Sequence, residues 1–243
     1  MLTLLYRIYQ IFIALPLVIV VSILTALVTI VGSLVGDGRF WGYYPGHIWS
    51  RFMCRVFLLP IKVEGRENLR SGQSYVFVSN HQSIFDVFLL YGYLDVPFRW
   101  MMKQELRKIP LVGLACQKGG HVFIDRVSPG RMRHSIVQAR DVLHSGTSLV
   151  VFPEGSRSYT GQVGNFHKGA FALADELGLP IVPITLNGPF RVLPRRPALN
   201  FVRRHRMTLT IHPVIPTLNQ GGVTLPEQME RARTAIIDGL DKE

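Results

Sequence analysis

Residues 75–86 read Tyr75-Val76-Phe77-Val78-Ser79-Asn80-His81-Gln82-Ser83-Ile84-Phe85-Asp86. The run from Tyr75 to Val78 is aromatic and β-branched, the pattern of a buried strand. Polar residues able to exchange protons follow at once, and open α/β sheets place their ligands at such strand ends. The spacing of His81 and Asp86 adds a constraint. Positions i and i+5 of a continuous helix point about 140° apart at roughly 3.6 residues per turn. The two side chains therefore meet only if His81 lies in the turn and Asp86 in the first turn of the following helix. A structural reading fits the same residues, with Ser83 as N-cap and Asp86 at the third helical position of a capping box. The readings are compatible, because a capping role would hold Asp86 rigidly.

Outward from this segment the chain alternates. Strand patterns cover 61–63, 75–80, 98–102, 121–125, 148–152, 181–186 and 207–211. Helical patterns fall between them. One spans Ser83 to Tyr93. A second opens with Ser128-Pro129 and stops at about His144, before Gly146. A third runs from Phe166 to Leu177, closed by Gly178, and a polar amphipathic helix covers Leu225 to Leu240. This order predicts an α/β fold: a mostly parallel central sheet flanked by helices.

The first 60 residues differ in kind. Ile11 to Gly36 contains no charged residue, and about 20 apolar residues suffice to cross a bilayer core. The run is too long for a signal-peptide core and shows no small-residue cleavage site. Pro16, Gly32 and Gly36 interrupt its pattern. Phe40, Trp41, Tyr43, Tyr44 and Trp49 follow as interfacial aromatics, with Arg51 and Arg55 beyond. Residues 1–60 are thus a membrane-associating segment, either one spanning helix or a helical hairpin dipping into one leaflet. Residues 61–243 form the α/β domain.

The net charge is +11, and of the first 36 residues only Arg7 is charged. A basic body attached to an apolar anchor points to anionic lipid rather than nucleic acid. Its densest cluster, Arg191, Arg195, Arg196, Arg203, Arg204, His205 and Arg206, is assigned to membrane-surface or phosphate contact. Cys54 and Cys116 are isolated thiols with no metal-ligand spacing, suited to packing in a reducing compartment. No GxxxxGK[ST] loop and no G-x-S-x-G elbow occurs, which speaks against nucleotide and serine hydrolases.

Four further segments sit at strand ends or helix starts: Lys103-Gln104-Glu105-Leu106, Gly119 to Arg126, Phe152 to Ser158, and Phe166 to Ala170. Together they give one sheet edge a base–acid pair (His81, Asp86), three cations (Lys103, Arg126, Arg157) and a carboxylate (Glu154). That mixture suits a substrate with a hydroxyl to deprotonate and a phosphate to hold.

NHQSIFD, KQEL with IP and G, GGHVFIDR, FPEGSRS and the Val182-Pro183-Ile184 stretch, in this order, resemble the glycerolipid acyltransferase family, and most closely its branch acting on lysophosphatidate. The resemblance spans residues 80–184; Ser156 stands where threonine is commoner. It implies transfer of a fatty acyl group from acyl-CoA or acyl carrier protein to the sn-2 hydroxyl of lysophosphatidic acid, giving phosphatidic acid without an acyl-enzyme. His81 would be the general base and Asp86 its orienting carboxylate. Glu154, Gly155, Ser156 and Arg157 would bind the acceptor, with Lys103 and Arg126 helping on phosphate. No metal or cofactor is implied, and the expected place is the cytoplasmic face of the inner membrane. The same chemistry on glycerol 3-phosphate, a lyso-ornithine lipid or another lysophospholipid remains open. A lipid hydrolase or thioesterase and a basic lipid-binding protein are the readings from other classes.

Overall fold

The structure is a computed structural model and describes residues 1–124, 130, 137, 140, 147–196 and 200–241. Asp125, Arg126 and nearly all of the helix expected from Ser128 to His144 lie outside the described residues.

Seven strands form one sheet in the order β1-β7-β6-β2-β5-β3-β4. They are β1 (Ile61–Glu64), β2 (Val76–Ser79), β3 (Phe98–Lys103), β4 (Val122–Ile124), β5 (Ser148–Val151), β6 (Ile181–Asn187) and β7 (Met207–Ile211). All neighbours pair parallel except β6 with β7. Strands β6, β2, β5, β3 and β4 thus run together, and β7 and β1 run against them. Every residue of β2, β5 and β6 is buried, as expected of parallel strands covered on both faces. β7 alternates buried with half-buried positions. The strands foreseen from the sequence are all present, with ends shifted by a residue or two.

Alternation along each strand sends its residues to two layers. On one face Phe77, Val150, Val182 and Ile184 pack with Phe85, Leu89 and Leu90 of the helix Phe85–Tyr93. On the other, Val76, Val78, Leu149 and Ile181 meet Phe171 and Leu173 of the helix Gly169–Leu177, together with Ala232 and Ile236 of Leu225–Asp238. Gly178 closes its helix in the left-handed conformation (φ 61°), as the sequence anticipated. The helix expected from Phe166 begins only at Gly169, and the His167 amide before it donates to Pro153 O.

Leu2–Val35 is one continuous helix whose most apolar 18-residue stretch has mean hydropathy 3.0, long and apolar enough to cross a membrane. It does not break at Pro16 or Gly32. A π-helical turn at Gln10–Ala14 precedes Pro16, which falls at the start of the next α-helical stretch where its missing N–H is tolerated. Gly32 leaves room for the Trp41 ring, which a Cβ there would overlap. After a turn at 36–43 the helix Tyr44–Val56 returns antiparallel. Tyr6 Oη donates to Phe57 O (2.7 Å), Tyr9 Oη to Val56 O (2.9 Å) and Trp49 Nε1 to Ser22 Oγ (2.9 Å). The arrangement is a hairpin.

The α/β body is bonded to the long helix near its start and to the turn that follows its far end. Near its start the Gln10 side chain exchanges two 2.9 Å bonds with the Val202 backbone. In the turn beyond its far end Arg99 Nη2 donates to Gly38 O (3.0 Å) and Tyr91 Oη to Gly42 O (3.0 Å). Gly42 also lies against Gly119, backbone to backbone, so close that a Cβ at Gly42 would overlap Gly119 O.

His121 is wedged beneath this junction. Its Nδ1 accepts the Trp100 amide at 3.1 Å, and burial, aided by Arg99, pushes its pKa down from 6.5 to about 3. Between those values the unfolded chain binds a proton that the folded chain refuses, so stability falls as pH drops below 6.5. The loss expected at pH 5 is about 2 kcal/mol from this residue, at roughly 1.4 kcal/mol per pH unit. His121→Asn keeps an acceptor near the Nδ1 position but cannot titrate. Denaturation midpoints at pH 7.5 and 5 are expected to lie closer together in that variant than in the parent. An unchanged gap would assign the acid loss to other groups.

Candidate active site

The turn after β2 is bonded at almost every residue. Asn80 is fully buried; its Oδ1 accepts the Leu186 amide (2.9 Å) and its Nδ2 donates to Leu186 O (3.0 Å), extending the β2–β6 pairing by a side chain. The His81 amide donates to Glu154 Oε1 and its carbonyl accepts the Ser158 amide, both at 2.8 Å. Gln82 Nε2 donates to Gly161 O. Ser83 Oγ donates to Leu193 O (2.7 Å) and accepts the Phe85 amide (3.2 Å).

Asp86 lies in the first turn of Phe85–Tyr93 and is fully buried. Its Oδ2 accepts three donors: His81 Nδ1 at 2.8 Å, the Gln82 amide at 2.6 Å and the Ser83 amide at 2.8 Å. The bond to the Ser83 amide is the return half of a capping box. The forward half is displaced, since Ser83 Oγ takes the Phe85 amide and not that of Asp86. The turn-to-helix route brings His81 and Asp86 together. The capping reading holds only in part: the helix starts at Phe85 after Ile84, with no side-chain cap, and of the box only the return bond from the Ser83 amide to Asp86 is made. With Asp86 ionised, the shared proton sits on Nδ1 and Nε2 keeps its lone pair. The imidazole is stacked on Phe152 (centroids 3.8 Å, planes 8° apart), which stacks on Trp100 in turn. Its side chain is 15% exposed, so Nε2 belongs to a ring open to solvent on little of its surface.

The FPEGSRS turn packs beside this pair. Gly155 adopts φ 74°, open to glycine at no steric cost, and lets the chain fold back with its amide on Phe152 O. Glu154 Oε1 holds the His81 amide and Oε2 the Gly164 amide, the latter at 2.8 Å. Burial raises the Glu154 pKa, and the two amide bonds oppose the rise. Ser156 is exposed and Arg157 partly so. The Arg157 carbonyl accepts Arg195 Nη1 at 2.9 Å, and the Arg195 guanidinium lies 4.0 Å over the Tyr159 ring. Lys103 ends β3, exposed on the same carboxyl edge; Arg126 is outside the described residues. Beside Gln82 a cleft of about 420 Å³ opens, lined by Thr160, Gly161, Asn187, Phe190 and Arg191 among others.

Sequence reasoning placed Arg195 in a cluster assigned to membrane-surface or phosphate contact and did not connect it to Arg157. It had also missed Phe152 as the surface on which His81 lies. A sequence signal existed only for Phe152, the last apolar residue before Pro153-Glu154-Gly155. Cys54 is buried and Cys116 partly buried, both unpaired; burial pushes the Cys116 thiol up to about 11, which suits a packing role.

The chain is an α/β protein with a doubly covered, mostly parallel sheet and its polar groups gathered at the carboxyl edge of the central strands. It belongs to the acyltransferase family: the model described as Acyltransferase matches residues 60–187, just over half of the chain. Among curated proteins, a 1-acyl-sn-glycerol-3-phosphate acyltransferase of Chlamydomonas reinhardtii is 32% identical over 206 residues, 84% of this chain and 60% of that protein. Its namesake in Pseudomonas aeruginosa is 35% identical over 57% of this chain and 55% of that protein. The chain spans about half the length of most of the curated relatives it matches, from 44% to 60% of the first five. The crystal structure of the 1-acyl-sn-glycerophosphate acyltransferase of Thermotoga maritima shares the fold, with TM-score 0.77 over 97% of this chain and 93% of that one, at 24% identity.

Proposed function

We propose that the protein transfers a fatty acyl group from a thioester, acyl-CoA or acyl carrier protein, to the sn-2 hydroxyl of lysophosphatidate. The observation that carries this reading is the imidazole at the end of β2, bonded through Nδ1 to a buried carboxylate and left with Nε2 as a base. The hydroxyl proton passes to His81 Nε2 as the oxygen attacks the thioester carbonyl. Asp86 stabilises the imidazolium that forms. The tetrahedral intermediate then collapses, the C–S bond breaks and the thiolate takes the proton from His81. General-base help of this kind contributes about 10²–10⁴ in rate. The names of the two curated relatives and the match of the family model across the site segments support the substrate class. No cofactor enters this chemistry.

Arg157, with Lys103 and Arg126, is proposed to hold the acceptor phosphate. Arg195 stiffens the backbone of Arg157 and adds a second guanidinium beside it. Arg157→Ala is expected to raise the KM for lysophosphatidate by about 10–100-fold, the value of one charged hydrogen bond, with a smaller fall in kcat. Acylation rates measured across acceptor concentrations decide it, and a KM within twofold of the parent would remove Arg157 from the phosphate site.

The same reading places the N-terminal hairpin in the membrane. At 34 residues and roughly 1.5 Å per residue, the first helix is about 50 Å long, against a bilayer core of about 30 Å. Because Gln10 near its start and the turn after its end are bonded to the α/β body, it lies along that body. We assign it to one leaflet, at the cytoplasmic face of the inner membrane, where lysophosphatidate and anionic headgroups face the basic domain.

The direct test is purified protein with lysophosphatidate and acyl-CoA or acyl carrier protein, following free thiol and phosphatidate. Thiol release equally fast without acceptor would identify a thioesterase instead.

A further inference from the structure

We infer that Glu154 is a positioning residue for His81 and not a ligand of the acceptor lipid. This rests on the reading of His81 as the base. Both Glu154 oxygens are already aimed at main-chain amides: Oε1 at that of His81 and Oε2 at that of Gly164, each at 2.8 Å. The loop that supplies Glu154 also grips the other side of His81, since the Ser158 amide donates to His81 O at 2.8 Å. His81 is therefore held at three points. Asp86 fixes the ring through Nδ1, Glu154 the amide and Ser158 the carbonyl.

The charge argues in the same direction. An anionic carboxylate repels a phosphate, and the cations able to attract one, Arg157 and Arg195, lie three residues on and docked against that residue's backbone. What a carboxylate offers here that an amide does not is two acceptor oxygens for two N–H groups. Glutamine at this position would turn an NH₂ group toward one of those amides, donor against donor. The loop would spread, and a displacement of His81 by about 1 Å is enough to cost about a hundredfold in rate.

Glu154→Gln and Glu154→Ala, purified in detergent alongside the parent, separate the two roles by kcat and by equilibrium binding of lysophosphatidate. The positioning role gives a kcat lower by about a hundredfold with binding within about twofold of the parent, which also shows the variants to be folded. Acceptor binding by Glu154 would give the reverse split, affinity lost by tenfold or more at near-parental kcat, and that result overturns the inference. Should both variants unfold, Glu154→Asp carries the test. It keeps the charge but is one methylene too short to span both amides, and the same two splits decide. Arg157→Ala, expected to lose affinity, serves as the binding control. The base reading fails separately, if His81→Ala keeps its rate; the Glu154 inference fails on affinity, which does not depend on that rate.

Discussion

His81→Ala is expected to slow acyl transfer by about 10²–10⁴-fold, the contribution of a positioned general base. The fold should survive. The ring is stacked on Phe152 and donates to Asp86 Oδ2, which keeps the Gln82 and Ser83 amides without it. The backbone contacts of residue 81 with Glu154 and Ser158 remain available to alanine. Binding of lysophosphatidate should stay near the parental value, because the groups proposed for the phosphate lie on other segments. The measurement is the initial rate of phosphatidate formation at saturating acceptor, with an unfolding curve beside it. A rate within threefold of the parent would eliminate the base mechanism, whatever the relatives catalyse.

Asp86→Asn should cost nearly as much in rate and more in stability. One oxygen of Asp86 serves His81 Nδ1 and two main-chain amides at once, while Oδ1 is buried with no partner. If asparagine keeps its carbonyl at the Oδ2 position, its NH₂ group is buried without an acceptor and the imidazolium loses its counter-charge. If the amide turns over, NH₂ faces Nδ1, the proton moves to Nε2 and the base is gone. Either way the expected loss is about 10²–10⁴ in rate. The unsatisfied buried group and the weakened helix start cost about 1–3 kcal/mol, visible in the denaturation midpoint. The two residues act as a unit, so the His81→Ala/Asp86→Asn double variant should be about as slow as the slower single. A double variant slowed by the product of the single effects would show that the two act independently.

The parts of this architecture that were legible in the sequence are those decided locally. Strands β2, β5 and β6 announce themselves because a fully covered parallel strand needs apolar residues at every position. The His81–Asp86 encounter followed from counting residues against the helical repeat. What depends on distant segments was not legible. The Gln10–Val202 exchange joins positions 192 residues apart. The docking of Arg195 on Tyr159 joins two loops whose compositions carry no mark of each other. The direction in which Glu154 points is a matter of rotamer and neighbour. A charged residue at a strand end says that something polar is held there, and a main-chain amide satisfies that description as well as a substrate does. The pairing of Leu2–Val35 with Tyr44–Val56 rests on bonds between the two arms, where hydropathy is silent.

A helix tied down near its start and through the turn after it, as Leu2–Val35 is, has a consequence for how this molecule meets its substrate. With the helix in one leaflet, as proposed, the α/β body would not swing on the anchor, and His81 would be kept at a constant height above the lipid plane. Under the proposed function, an acceptor with its acyl chain still among its neighbours arrives by lateral diffusion, and the quantity governing encounter is its density per unit area. Volume concentration matters only for the partner that comes from the other side, the thioester. The two reactants are thus drawn from spaces of different dimension, and the catalytic edge of the sheet lies along the boundary between them.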